Sequence, residues 1–434
     1  MRARPLWQGR TLALLGIVLV AFSLRSAVAS LSPVIDHVAA DFPVSPVVVG
    51  MIGSAPPVCF AVFGLLTPLL ERRFGLERVA VAAIALMSIG LLLRGAAFDS
   101  WSLLAATALV FAGVGSANVL LPPLVKKYFP DRLGLMMTLY STIMAVSTFL
   151  PPLVAVPVAD SLGWRVSLGM WGAIALLALA PWVTMLVTGK TDAASDGPRA
   201  PARPAEAPEG REAFTPAEVA TGPITTNPAN PRVFGRLWRL PLAWALALVF
   251  AASSSMAYSS FAWMPTMLVD IGGVTGSTAG LLLSVFGAVG LPCSLVVPVL
   301  VVRFQAARAL FFVAVGGGLA GLAGLLLLPA AGLALWVIVF GLTAILFPLS
   351  LVLLSIRSRT PESAVALSGF MQSIGYGIAA LFPLALGVLH EMTHGWQLPL
   401  IVLAGLLVVA APAGWIAGGS RTIEDEWERR HGRW

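Results

Sequence analysis

Charge is what this chain has least of. Of its 434 residues, 11% are Asp, Glu, Lys or Arg, whereas 58% are hydrophobic. A water-soluble domain needs roughly 25% charged residues to cover its surface, so most of this surface must face lipid. Cysteine is scarcer still. The two present, Cys59 and Cys293, lie inside apolar runs, which excludes a disulfide framework and any Cys-based metal cluster. The four histidines, His37, His390, His394 and His431, show no metal-ligand spacing with a carboxylate. No metal and no cofactor is therefore expected. There is also no nucleophile–base motif, no phosphate loop and no ATP-binding cassette, so the reading is not an enzyme and not an ATP-driven pump.

What is present is apolar length. A membrane helix needs roughly 20 mostly apolar residues. Twelve segments qualify: 11–35, 46–70, 79–98, 101–125, 134–158, 166–188, 240–268, 275–301, 309–328, 333–355, 364–388 and 397–417. The first has basic flanks like a signal peptide, but it is too long for one and carries Arg25, so it is read as a retained helix.

The net charge of +7 could suggest a nucleic-acid partner. The position of the charges argues otherwise. Of the 27 Lys and Arg residues, 24 fall in the N-terminus, the C-terminus and alternate loops, and the opposite loops hold Arg94 and Arg165 alone. Basic loops stay in the cytoplasm. The expected location is a bacterial inner membrane, multi-pass, with both termini cytoplasmic and no nucleic-acid partner. Residues 189–238 carry eight prolines among Ala, Glu and Arg. Such a segment cannot bury a core and reads as a disordered cytoplasmic linker. The domains expected are a six-helix bundle over 1–188, the linker, a second six-helix bundle over 239–418, and a cytoplasmic tail over 419–434.

The two halves resemble one another. Phe129-Pro130-Asp131 pairs with Thr360-Pro361-Glu362, Pro151 with Pro383, Gly163-Trp164-Arg165 with Gly395-Trp396-Gln397, and Cys59 with Cys293. The offsets are 231, 232, 232 and 234. Chance matching of common Pro and Gly is the competing explanation. A duplicated unit is the usual plan of secondary transporters, with the solute held between the halves near the midplane. The fold class is thus an all-α membrane protein of 12 transmembrane helices in two pseudo-symmetric six-helix bundles.

Two such halves joined by a long cytoplasmic loop resemble the major facilitator superfamily. A narrower match rests on Ser23-Leu24-Arg25 followed by Leu31-Ser32-Pro33, on Gly113 through Asn118, and on Leu121-Pro122. It continues through Lys126-Lys127-Tyr128-Phe129-Pro130-Asp131-Arg132, Gly134 through Tyr140, Gly163-Trp164-Arg165 and Trp171. This run is similar to the cyanate and nitroimidazole transporter family within that superfamily. The loop Glu71 to Arg78 keeps the Gly and the charges of the superfamily signature but departs from its usual acidic position. The resemblance implies small, often anionic or planar substrates.

Arg25 stands out among the candidate residues, in the middle of the first span. A charge at bilayer depth costs at least ~2.5–3.5 kcal/mol, and from mid-helix it cannot snorkel to the surface. No Asp or Glu lies in the middle of any span, so the simplest partner is an anionic solute on the guanidinium fork. The competing reading is that Arg25 bonds carbonyls or a Tyr hydroxyl and locks two helices. Asn118 sits among Gly113, Gly115 and Ser116, placed for ligand contact or for helix packing. Tyr140 offers a hydroxyl, with Met144 and Ser147 on its face, or else belongs to an aromatic belt. Tyr258 falls where the repeat would put the partner of Arg25, in a Ser-rich span that Pro265 should break. Trp263 reads as an interface anchor. Ser368, Gln372 and Tyr376 share one face of the eleventh span.

The leading expectation is a monomeric secondary transporter that moves a small anionic or polar planar solute by alternating access. The solute class is cyanate-like, carboxylate or nitro-heterocycle, and Arg25, Asn118, Tyr140, Tyr258, Gln372 and Tyr376 are the candidate contacts. The alternative is a multidrug-type exporter of hydrophobic compounds, with an aromatic-lined cavity that tolerates loss of Arg25.

Overall fold

The computed structural model describes residues 10–129, 132–188 and 235–432, so most of the expected linker lies outside the described residues. Among the described residues, twelve helices are long and apolar enough to cross a membrane, and there is no strand. They are α1 Thr11–Ala29, α2 Pro46–Phe74, α3 Leu76–Gly95, α4 Ser100–Tyr128, α5 Leu133–Leu162 and α6 Trp164–Val187. The second half holds α7 Pro241–Gly272, α8 Gly276–Phe304, α9 Ala307–Leu327, α10 Leu333–Ile356, α11 Pro361–Ala379 continued by Leu381–Thr393, and α12 Gln397–Ala417. A terminal helix, α13 Ile423–His431, follows.

Local chemistry sets the helix ends. Ser45, Asp99, Thr275 and Thr360 accept from backbone N–H groups at the starts of α2, α4, α8 and α11, which satisfies donors that a helix start leaves unpaired. Several hairpin turns need a positive φ, and four of them match between the halves. Gly75 and Gly163 supply it in the first half, at +87° and +85°, and Gln305 and His394 in the second, at +53° and +49°. The four occupy matching places, after the second and fifth spans of each half. The Trp residues matched in sequence also make the same bond twice. Trp164 Nε1 donates to Asp41 (2.9 Å), and Trp396 Nε1 donates to Asp270 (2.8 Å). Each ties the start of the last helix of a half to the end of the first helix or the turn beyond it. The Asp41 carboxyl also accepts from Arg165, and these bonds to Arg165 and Trp164 hold it below the usual carboxylate range.

Two sequence expectations are corrected. The first span ends at Ala29 rather than residue 35. A single 3₁₀ turn at Ser32–Val34 and a short helix, Ile35–Asp41, redirect the chain, because Pro33 cannot continue a helix already ending at Ser30. Arg25 therefore sits one turn from the end of α1, not at its middle. Pro265 does not break α7, which runs unbroken from Pro241 to Gly272. The breaks fall instead in α10, where a 3₁₀ turn at Leu342–Ile345 precedes Pro348, and in α11 at Ala380, before Pro383.

Within each half, small residues let helices meet backbone to backbone. A Cβ on Gly113 of α4 would lie 2.5 Å from the Ala83 carbonyl of α3. Large side chains such as Leu65, Leu69, Leu177 and Val409 project outward, as a lipid-facing surface requires. The tail is not loose. Glu426 accepts from Leu242 N at the start of α7 (3.0 Å), Glu424 accepts from Arg359 N (3.0 Å), and Arg359 pairs with Asp425 and Glu428. Helix α13 thus clamps the second half at its basic end, the end that carries both termini.

The halves meet mainly through two helix pairs, α2 with α11 and α5 with α8, and α7 also packs on α2 and on the turn after α1. Their contact is tightest at the end away from the termini. A Cβ on Gly50 of α2 would lie 2.8 Å from the Pro383 carbonyl of α11, one on Gly53 2.5 Å from the Ala262 side chain, and one on Gly280 of α8 2.8 Å from the Pro152 carbonyl of α5. Ser32 Oγ donates across the same boundary to the Ala262 carbonyl (2.9 Å). That end is closed. Gly50→Ala should penalise this closed arrangement, because the carbonyl it meets is backbone and cannot step aside. With Ser254→Cys as reporter in a Cys59→Ser/Cys293→Ser background, Gly50→Ala should slow labelling by a charged thiol reagent at the basic end by about threefold or more. An unchanged labelling rate would contradict the tight closure.

Candidate functional site

Between the halves lies a cavity of about 410 Å³. Its wall is drawn from α1, α2, α4 and α5 of one half and from α7, α8, α10 and α11 of the other. The deepest lining residues sit at mid-helix. The others, such as Gly64, Val119, Pro298 and Leu351, step toward the basic end. The cavity therefore opens at the basic end and is sealed at the opposite one.

All six residues singled out from sequence line this one cavity: Arg25, Asn118, Tyr140, Tyr258, Gln372 and Tyr376. Arg25 on α1 is part-buried, with Tyr140, Tyr258 and Tyr376 lining the cavity around it. Tyr258 is in hydrogen-bonding reach of both Arg25 and Tyr376. The chain has four tyrosines, so three of them gather around one cation. Their placement follows the duplication. Arg25 and Tyr258 stand on the first helices of the two halves, 233 residues apart, and Tyr140 and Tyr376 on the fifth helices, 236 apart. No Asp, Glu, His or Lys lines the cavity among the described residues. Arg25 is its single formal charge. Tyrosine hydroxyls orient a guanidinium without neutralising it, so the positive charge remains available to a ligand.

The amides differ in how they are held. Gln372 Nε2 donates to Ser368 Oγ one turn away (2.8 Å), which fixes the side chain against α11. Ser368 itself does not line the cavity. Asn118 has no side-chain partner among the described residues and lines the wall beside Gly115. It forms no bond to Arg25. On α5, Met144 and Thr148 line the cavity, whereas Ser147 bonds back to the Met144 carbonyl (3.0 Å). On α7, Ser253 and Ser254 face the cavity.

Sequence reasoning missed the aromatic part of the wall. Phe60 of α2 packs edge-on against Tyr258 (6.1 Å) and Tyr376 (5.6 Å), and Phe250 against Tyr376 (5.0 Å). Phe261, Phe286 and Phe347 complete it. A phenylalanine in an apolar span looks like any lipid-facing one, so no signal in one sequence marks these. Trp263 is corrected too. It is 4% exposed, donates to the Pro383 carbonyl (2.8 Å) and is not an interface anchor.

Residues 15–383 match the family model of the Major Facilitator Superfamily. The chain belongs to that superfamily. It is a polytopic membrane transporter of the secondary type, not an enzyme. It is 32% identical to the uncharacterized transporter YycB of Bacillus subtilis (strain 168), over 96% of each chain. It is 28% identical to the 2-nitroimidazole transporter of Escherichia coli (strain K12), over 96% of this chain and 98% of that one. Identity to the cyanate transport protein CynX of the same bacterium is 26%, over 91% and 95%. The fold is similar to the inward-facing, occupied structure of a bacterial homologue of the human lysosomal transporter Spinster. The TM-score there is 0.71 at 17% identity, over 98% of this chain and 99% of that one.

If the tyrosines hold Arg25 for a ligand, removing one hydroxyl should loosen the ligand and leave the fold intact. Tyr258→Phe and Tyr376→Phe should each weaken binding of a transported solute by about ten- to hundredfold, the worth of one hydrogen bond to a charged group. Calorimetry on purified protein reads this. A large drop in melting temperature with unchanged affinity would instead make the hydroxyls structural.

Proposed function

We propose that this transporter carries small planar anions across a bacterial inner membrane by alternating access, with the negative group held on Arg25. The observation that carries the reading is the cavity's charge. A guanidinium without a carboxylate partner sits among eight helices and is costly to keep there. An anion on its planar fork offsets that cost through short, charge-assisted hydrogen bonds.

The rest of the wall defines the other end of the solute. Phe60, Phe250, Tyr258 and Tyr376 present ring edges and faces to the space beside Arg25, which suits a flat π-system. A volume of about 410 Å³ is small for a binding cavity and favours a compact solute over a large drug. That the relatives are named for a nitroimidazole and for cyanate supports a small, electron-rich solute. The multidrug alternative finds an aromatic wall here, but it leaves the buried charge without a purpose. Asn118 and Gln372 are assigned as polar contacts to the solute.

The basic end is assigned to the cytoplasm, because Lys and Arg concentrate there. The arrangement described is then inward-facing, with both termini inside. The cavity is completed by residues of one chain, so a monomer suffices. With no carboxylate or histidine in its wall among the described residues, this site offers no side chain of its own to carry a proton inward.

Reconstituted Arg25→Ala should lose at least about 99% of anion uptake, since the charge-assisted bonds lost are worth roughly 1.5–3 kcal/mol each. Uptake at the wild-type rate would refute the proposal. Tolerance of the substitution with retained efflux of neutral apolar dyes would favour the exporter.

A further inference from the structure

A second buried cation lies beyond the cavity. Arg94, in the last turn of α3, is 1% exposed, and no carboxylate among the described residues pairs with it. Its Nε donates to Thr107 Oγ1 of α4 (3.0 Å) and one Nη to the Ala27 carbonyl of α1 (2.7 Å), and its guanidinium lies 5.1 Å from the centre of the Phe111 ring. An arginine has five N–H donors. Two are used, and three have no protein acceptor among the described residues.

Arg94 lines a separate void of about 30 Å³ with Ser32, Tyr258, Phe261 and Ala262. That is room for about one water molecule. Tyr258 and Phe261 also line the central cavity. One layer of α7 side chains therefore separates the void from the space that Arg25 faces. The two arginines belong to one half, joined through Ala27, two residues beyond Arg25. The wall between them belongs to the other half, and its link at this level, Ser32 Oγ to the Ala262 carbonyl, crosses the boundary that must part when the closed end opens.

We propose that Arg94 is a second anion-binding residue, the cation a solute meets first from the outer face. Arg25 and Arg94 then form a two-step anion path, with Tyr258 and Phe261 as the movable wall. A brace between α1, α3 and α4 needs two donors and no charge. A guanidinium with three unused N–H groups is an expensive brace but a ready anion site once the void is hydrated. The proposal rests on the anion reading of Arg25 and adds a sidedness which that reading lacks.

The test is exchange of labelled benzoate and of labelled cyanate by the full chain in proteoliposomes of known orientation. Half-saturation is measured at each face with the other face saturated. Arg94→Gln keeps donors for the brace and removes the charge. It should raise the outer-face constant at least about tenfold and leave the inner-face constant within about twofold, as expected when one charge-assisted contact is lost in one state. Arg94→Lys should give an intermediate outer-face constant with the inner face unchanged, and it decides the matter if Arg94→Gln does not fold. Equal changes at both faces, or none, would make Arg94 a brace and overturn the proposal. Arg25→Gln separates the two readings. Full exchange by Arg25→Gln, or none of either anion by wild type, refutes the anion reading itself. A dead Arg25→Gln beside a symmetric Arg94→Gln refutes the second site alone.

Discussion

An uncompensated guanidinium inside a bilayer-spanning bundle constrains everything packed around it. Arg25 has no carboxylate within the cavity, and its nearest polar company is phenolic. The protein must keep that charge hydrated, oriented or occupied. It does so by building a cavity rather than a core at the centre. Tyr140, Tyr258 and Tyr376 gather around the guanidinium. Phe60 packs on Tyr258 and Tyr376, and Phe250 on Tyr376, from the apolar side.

The duplicated architecture makes such a cavity possible. Each half is self-consistent, with hairpin turns at matched positive-φ positions and a Trp–Asp bond at matched places. Helix α13 adds a clamp to the second half through Glu424, Glu426 and Arg359. Two rigid units joined across glycine-mediated contacts can separate at one end and close at the other without internal repacking. The close approaches at Gly50, Gly53 and Gly280 hold the end away from the termini shut by geometry, with Ser32 to the Ala262 carbonyl as one polar link. An interface of that kind opens with few bonds to break.

Much of this was legible in the sequence, and the reasons are physical. Spans of twenty apolar residues cannot be hidden. Arg25 and the polar residues of the cavity were found because a polar group in an apolar run is costly and so calls for a reason. The same rule explains what was missed. Arg94 sits next to the last residue of α3 and read as a loop cation near a helix end, although neighbouring helices bury it. Phe60, Phe250, Phe261, Phe286 and Phe347 carry no cost in an apolar span and so gave no signal. Pro265 is absorbed by an unbroken α7, while Pro33, given little weight, ends the first span early and moves Arg25 toward the end of its helix.

The central claim is that one unpaired charge selects the solute. The most direct measurement is calorimetric titration of the purified protein with benzoate and with benzamide, which match in size and planarity and differ in charge. The account predicts that benzoate binds at least about a hundredfold more tightly than benzamide, roughly 2.7 kcal/mol, and that Arg25→Gln abolishes the difference. Equal affinity of the wild-type protein for the two would contradict it.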